Sequence, residues 1–334
     1  MPVLNLDALS VNRIDAIREY HRQAGISCAQ LDVSGGVDSA VMLKLLVLAL
    51  GPKNVTAAYS NINSSEESHQ RAKLVAHNCM VDLIDIDLTD IFNQLVTTMV
   101  ASMHEAGFNV DEIDARLEAD PTILGSMRSC LRAPIGRGFN RLSGGGIRHG
   151  TGNECEDRWL RFYQKGGDGE VDTNPLGMLS KGEVYQLAWY LNLPSILISA
   201  KPTPDLWGAG NTHNDEDELL SWTGANFTYS RIDLDSGEYS CIGTIERVSR
   251  YLDYHGIYPH PLFDDLSTED DLKFMFINAY ASPSFQHIPE DEVRTLLLAA
   301  RKVEHITRHK ENPNIPELGD RNALLREKIL TNNL

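Results

Sequence analysis

The chain has no CxxC pair: its five cysteines, Cys28, Cys79, Cys130, Cys155 and Cys241, lie far apart. That argues against a zinc ribbon and a thioredoxin-type site, and the odd count fits a reducing compartment. Long apolar runs are also missing. The longest, residues 40–50, is broken by Lys44 and is too short to span a bilayer. Basic residues are scarce: 30 Lys and Arg stand against 47 Asp and Glu, a net charge of -17. A general nucleic-acid binder needs a basic face, so no nucleic-acid partner is expected. An anion bound here needs local donors rather than a global field. The opening residues, MPVLNLDALSVNRID, carry no basic stretch leading into an apolar one. A cytoplasmic protein without a membrane span is the expectation. Hydrophobic residues make up 42% of the 334, enough to bury a real core.

The periodicity predicts alternating helices and strands. Residues 9–24 read as an amphipathic helix, 28–33 as a strand, 38–50 as a helix closed by Gly51-Pro52, and 55–59 as a second strand. A helix over 65–78 starts at Ser64 or Ser65 with Glu67 in its first turn. A third strand covers 81–86, and a further helix 89–106. Residues 110–142 are helical in pattern but interrupted by Pro121 and Pro134. Residues 143–152 are glycine-rich, and 182–193 and 289–309 read as helices. Residues 208–285 are polar and aromatic with weak period. The alternation predicts an α/β protein with a parallel sheet and helices on both faces.

One string carries chemistry. "LDVSGGVDSAVMLKLL" (31–46) runs from an apolar strand into a helix through Ser34, Gly35, Gly36, Val37, Asp38 and Ser39. Ligands in open α/β sheets bind at the carboxyl ends of strands. The glycines let backbone N–H groups turn inward, and the helix N-terminus aims its positive end at the same spot. Ser34 and Ser39 add hydroxyl donors, and Asp38 suits Mg²⁺, a hard cation that prefers oxygen ligands. The expected result is a pyrophosphate cradle. It is neither a Walker loop nor GxGxxG.

The string resembles the pyrophosphate loop of the N-type ATP pyrophosphatases, a superfamily that includes the NAD, GMP, asparagine and argininosuccinate synthetases. The second half of the chain resembles NAD synthetases in particular. "HGTGNECEDRWLRFYQKGGDGEVDTNPLGMLSKGEVYQLAWYLNLP" (149–194) is similar to their pattern GTGNxxE…FxxKYGDGxxDxxP…LxKxxVxxLAxxLGxP. "NSSEESHQRAKLVA" resembles SSxxSxxDAxxLA, "KPTPDLW" (201–207) KxPxADLW, "NDEDEL" (214–219) DExELG, and "RHKENPNIP" (308–316) EHKRxxPP. The matches fall in the family's order over 12–220 and 300–318.

The resemblance implies a Rossmann-like sheet of the adenine nucleotide alpha hydrolase type, one domain over 1–334, with 221–300 as an insertion or lid. It implies that ATP adenylylates the nicotinate carboxylate of deamido-NAD and that ammonia displaces AMP. By the same transfer, residues 34–39, Thr151, Lys181 and Thr203 hold ATP. Asp38 and Glu156 hold Mg²⁺. Arg128, Arg132, Lys165, Asp172, His309 and Lys310 meet deamido-NAD, with Asp38, Asp172 and Lys181 as the catalytic set. A homodimer is implied, and the ammonia is free or comes from a separate glutaminase, since no amidase domain accompanies the loop.

The chain departs from the pattern in three places. The family's NxxxRxR stretch corresponds to "SMRSCLR" (126–132), where Cys130 stands in for the first arginine and Arg132 keeps the second. "SGGGIR" (143–148) stands where an apolar strand is expected, and 221–300 is longer than the usual connection, with Trp222, Tyr229, Tyr239, Tyr251, Tyr254 and Tyr258. Two further readings stay open: an amide ligase for a different carboxylate, and a non-catalytic nucleotide-binding module.

Overall fold

The computed structural model describes residues 5–205, 214–254, 269–310 and 318–331. Strands β1 (Ala29–Asp32), β2 (Val55–Asn61), β3 (Leu83–Asp87) and β4 (Ile147–His149) form one parallel sheet in the order β3-β2-β1-β4. β1 is central, and its first three residues are buried. A strand covered on both faces must be apolar throughout or pair its polar groups. Here Gln30 of β1 is paired through Asp32 and Arg148.

Helix α1 (Leu6–Ala24) and α2 (Val37–Leu50) pack together over one face of this sheet. Eight of the 14 residues of α2 are buried, so it is a central helix rather than an amphipathic surface one. α3 (Glu66–Asn78) follows β2 and starts at Ser65, whose hydroxyl accepts from the Ser68 N–H. α4 (Thr89–Glu105), α5 (Val110–Ala119) and α6 (Thr122–Leu142) come next, and α6 crosses β1, β2 and β4. Ile62, Leu88 and Phe92 form a small core there with Leu124, Met127 and Ile135. Of the two prolines expected to interrupt 110–142, only Pro121 divides helices. Pro134 lies inside α6, which runs through it. The missing N–H removes one bond, but contacts on both sides of Pro134 hold the helix. Arg132 donates to the Ser60 carbonyl, and Gly136 lies so close to Arg148 that a Cβ there would sit 1.7 Å from Nη1.

The "SGGGIR" stretch does supply the fourth strand. β4 lies beside β1 with Arg148 buried, its Nη2 2.7 Å from Asp32 Oδ2. An arginine with a carboxylate partner is admissible where an unpaired one is not.

α7 (Lys181–Tyr190) packs on α1 and α2 and is followed by α8 (Ser195–Ile198). Its start is a capping box of Ser180 and Glu183. Among the described residues, the region of weak period contains three α-helices, α9 (Asp215–Thr223), α10 (Thr244–Tyr254) and α11 (Glu269–Tyr280), and a hairpin of β5 (Arg231–Ile232) and β6 (Tyr239–Cys241). α12 (Glu290–Thr307) and α13 (Arg321–Arg326) follow. α9 to α12 build a second core around Trp159, Phe227, Tyr251 and Phe285, whereas Leu324 of α13 packs into the sheet core. Between the two cores lies a buried ionic seam. Glu183 of α7 accepts from Arg321 at 3.0 and 3.1 Å and from Arg250 at 3.1 Å. Burial would raise its carboxyl, but the two arginines outweigh burial and hold it below the ordinary value. Trp207, Tyr258 and residues 311–316 of the closing motif lie outside the described residues. Among the described residues no helix is long and apolar enough to cross a membrane.

Candidate active site

A cavity of about 660 Å³ opens at the carboxyl ends of β1, β2 and β4. Ser34, Gly36, Val37 and Asp38 line it, with Ser39 buried behind them. The loop holds its own shape. Ser39 Oγ accepts from the Ser34 N–H at 3.2 Å, lies 3.1 Å from Ser34 Oγ and donates to the Gly36 carbonyl at 3.0 Å. Gly35 has φ +81°, and a Cβ there would fall 2.2 Å from the Ser68 carbonyl oxygen, so this position needs glycine. α2 begins at Gly36 without a side-chain cap. Its first-turn N–H groups therefore face the cavity mouth without a capping side chain, a site for an anion.

Opposite the loop, three charged groups converge. The Lys181 ammonium lies 2.6 Å from Asp38 Oδ2 and 2.7 Å from Glu156 Oε1. Asn153 ties the two halves, donating to Asp38 Oδ1 at 3.1 Å and accepting from the Glu156 N–H at 3.2 Å. Lys181 is 3% exposed, yet burial loses to the pull of Asp38 and Glu156, which hold its ammonium well above the ordinary lysine value. Glu156 is pushed up by burial against the pull of Lys181, with Asp38 adding to the rise. Glu156 opens a π-helical turn (Glu156–Leu160), an irregularity that recurs at functional sites. Two carboxylates aimed at one cation are what a divalent ion shared with phosphate oxygens requires. The Lys181 ammonium fills that point in this structure.

Asp215 lies beside this group. It is 5% exposed, its Oδ1 has no hydrogen-bond partner, and its Oδ2 accepts from Tyr229 at 3.3 Å. Burial, with Glu156 nearby, pushes its carboxyl up to about 8. The Lys181 ammonium sits 5.3 Å from the centre of the Tyr229 ring. Asp215 lines the cavity, and nothing in the sequence marked it as a cavity group beyond its place in the NDEDEL motif.

The other expected ATP residues, Thr151 and Thr203, both line the cavity. Thr151 follows β4, whose end is fixed by a neutral imidazole pair. His149 Nε2 lies 3.0 Å from His21 Nε2, and burial with His21 close by lowers His149 to about 3.

The expected acceptor residues separate into three groups. Arg132 lines the cavity and donates to Ser60 O at 3.2 Å and Ser64 Oγ at 2.9 Å. Lys165, His309 and Lys310 gather at one rim beside Tyr163, though none of the three lines the cavity itself: Lys165 Nζ lies 3.5 Å from the His309 carbonyl, and Lys310 Nζ donates to the Tyr163 carbonyl at 2.8 Å. Cys130 belongs to this rim, its Sγ 4.0 Å from the Lys165 carbonyl. Arg128 and Asp172 are not part of the cavity wall. Arg128 is buried with its guanidinium 5.3 Å from the centre of the Phe92 ring. Asp172 has both oxygens engaged, Oδ1 by Arg137 at 2.8 Å and Oδ2 by the Arg148 N–H at 2.8 Å.

A cradle on a switch-point sheet, with two carboxylates and a lysine facing it, defines a nucleotide-phosphate site. The family model for NAD synthase matches residues 9–234, and the chain belongs to that family. It is 32% identical over 217 residues to an NH(3)-dependent NAD(+) synthetase of Fusobacterium nucleatum, covering 65% of this chain and 76% of that one. It is 34% identical over 209 residues to the enzyme of the same name from Methanosarcina acetivorans, covering 62% and 74%. Among solved structures, an NMN synthetase from Francisella tularensis superposes with a TM-score of 0.62 at 18% identity, over 93% of this chain and 100% of that one.

Proposed function

We propose that this protein is an ATP-dependent ligase that amidates deamido-NAD to NAD with ammonia, releasing AMP and pyrophosphate. The observation that carries the reading is the convergence of Asp38 and Glu156 on one cation point, 2.6 and 2.7 Å from the Lys181 ammonium, opposite the phosphate cradle. Asp38 and Glu156 would hold Mg²⁺, which neutralises polyphosphate charge when bound. The N–H groups of α2 and the hydroxyl of Ser34 take the leaving pyrophosphate. Lys181, released from the two carboxylates, follows that charge. The nicotinate carboxylate oxygen bonds to the α-phosphorus as the bond to pyrophosphate breaks. Ammonia then bonds to the acyl carbon, AMP leaves with the oxygen, and one proton is lost to water or to a site carboxylate. The enzyme supplies chiefly positioning and charge compensation. Arg132 and the rim of Lys165, His309 and Lys310 would hold the acceptor, with Asp172, Arg137 and Arg148 setting the wall behind it.

A homodimer fits the outer side of α4, where Ile91, Leu95 and Met99 are 59%, 40% and 44% exposed at helical spacing. All five cysteines are free, consistent with work in the cytoplasm on free ammonia or on ammonia from a separate glutaminase.

Cys130 favours a second reading, an amide ligase for another nicotinate carboxylate, because the family pattern has an acceptor arginine there. The test is one assay with several arms. Purified protein receives ATP, Mg²⁺ and ammonium with deamido-NAD, with nicotinate mononucleotide, or with no acceptor, and pyrophosphate and amide product are both measured. NAD in equal amount to pyrophosphate is the expected result. Amidation of the mononucleotide alone would replace the first reading with the second.

A further inference from the structure

We propose that Arg71 is a positioning residue for the ATP phosphates, locking the Gly35–Gly36 peptide so that its N–H faces the anion. Arg71 lies on α3, one turn past its N-cap, and lines the cavity. Its Nε donates to the Gly35 carbonyl at 2.9 Å and its Nη2 to Ser68 Oγ at 3.0 Å. Ser68 Oγ is itself fixed by the Ser65 hydroxyl at 2.9 Å. The first two turns of α3 thus grip the loop twice, once through the close approach of the Ser68 carbonyl to Gly35 and once through the Arg71 guanidinium.

The need for such a grip follows from the backbone. Gly35 has φ +81° and no side chain, so the 35–36 peptide plane can turn over at small steric cost. A trans peptide points its C=O and N–H in opposite directions. With the Gly35 oxygen on Arg71, the Gly36 N–H points toward Ser34 Oγ, 3.2 Å away on the cavity side of the loop. If the plane flipped, a carbonyl oxygen would face the polyphosphate and repel it. Arg71 opposes the flip with a charge-assisted bond. Its remaining nitrogen, Nη1, makes no hydrogen bond among the described residues, which leaves both of its N–H donors and a full positive charge at the wall of a protein that is acidic overall. The segment pattern SSxxSxxDAxxLA has an acidic residue at this position, so family membership alone does not supply this contact.

The inference concerns the ATP half of the reaction and rests on the proposed ligase reading only for its kinetic arm. Arg71→Ala and Arg71→Lys are compared with the unaltered protein by ATP binding at equilibrium, by KM for each substrate and by pyrophosphate inhibition. Arg71→Ala is expected to weaken ATP and pyrophosphate about tenfold or more, the size of one lost charge-assisted bond, with the KM for deamido-NAD within about twofold. Arg71→Lys keeps the charge but cannot serve Gly35 and Ser68 together, and is expected to fall between. Should Arg71→Ala fail to fold, Arg71→Lys and Ser68→Ala carry the test, each with a selective loss for ATP. Unchanged ATP and pyrophosphate binding, or equal losses for both substrates, would overturn the inference. If no acceptor is amidated, the binding arm still decides it.

Discussion

The two cores of this protein are built on different principles. The sheet core, from α1 through β3 and on to α7, is almost wholly aliphatic and forms from units of strand and helix adjacent in sequence. The second core is richer in aromatic residues, and it draws Trp159, Phe227, Tyr251, Phe285 and Leu297 from segments far apart in the chain. The seam between them is ionic: Glu183 meets Arg250 and Arg321, and Glu246 accepts from Arg250 at 3.3 Å and from Ser180 at 2.8 Å. Aliphatic surface slides at little cost, whereas a bidentate ion pair fixes register. The seam holds the start of α7, and with it Lys181, at one distance from Asp38. The sheet region supplies the glycine loop, and the second region supplies the counter-wall with Glu156 and Asp215.

Cutting the seam should give the largest effect. Glu183→Ala removes the carboxylate that Arg250 and Arg321 share, with Glu246 still beside Arg250, and is expected to cost about 3 kcal/mol. Denaturant melts followed separately at a sheet-side probe and at Trp159 are expected to lose coincidence; a shared midpoint near that of the parent would mean the seam does not couple the cores. Lys181→Met comes next. It keeps the stem and removes the ammonium, so turnover is expected to fall about a hundredfold with the fold intact. Asp38 and Glu156 would then repel each other, and added Mg²⁺ is expected to raise Tm more in the variant than in the parent.

A smaller effect separates the regions by pH. The Asp215 carboxyl sits at about 8 in the folded protein because of burial. An ordinary unfolded aspartate ionises near 3.9, so between roughly pH 4 and 8 the folded state holds a proton that the unfolded state has released. Stability from this group is present below that window and is lost as pH rises through it. Asp215→Asn is expected to flatten the decline in Tm between pH 5 and 8, and an unaltered slope would remove Asp215 as its source. The smallest effect on stability concerns the outside of the sheet region. Leu95→Glu on α4 is expected to halve the apparent mass in sedimentation with little change in Tm. An unchanged mass would place any dimer contact elsewhere.

The contrast between the cores also explains what the sequence could reveal. The first three strands and α1 to α4 are visible because each is local, and SGGVDS sits where strand becomes helix. Ser34, Asp38, Glu156 and Lys181 are found together in space as the family pattern implied, though no periodicity could bring residues 143 positions apart to 2.6 Å. β4 was hidden because its centre is a buried arginine, admissible only through Asp32 and Gln30 on a distant strand. Pro134 read as a breaker because propensity is local, while the contacts that carry α6 through it are tertiary. α10 escaped because its buried face includes Glu246 and Arg250, which blur an apolar stripe.

The central claim is that the cradle, Asp38, Glu156 and Lys181 serve to adenylylate a nicotinate carboxylate. Exchange of labelled pyrophosphate into ATP, measured with ammonium withheld, tests it most directly. The account predicts exchange that requires Mg²⁺ and deamido-NAD and is lost in Asp38→Asn. Exchange that needs no acceptor, or NAD formation from ammonium with no acceptor-dependent exchange, would contradict it.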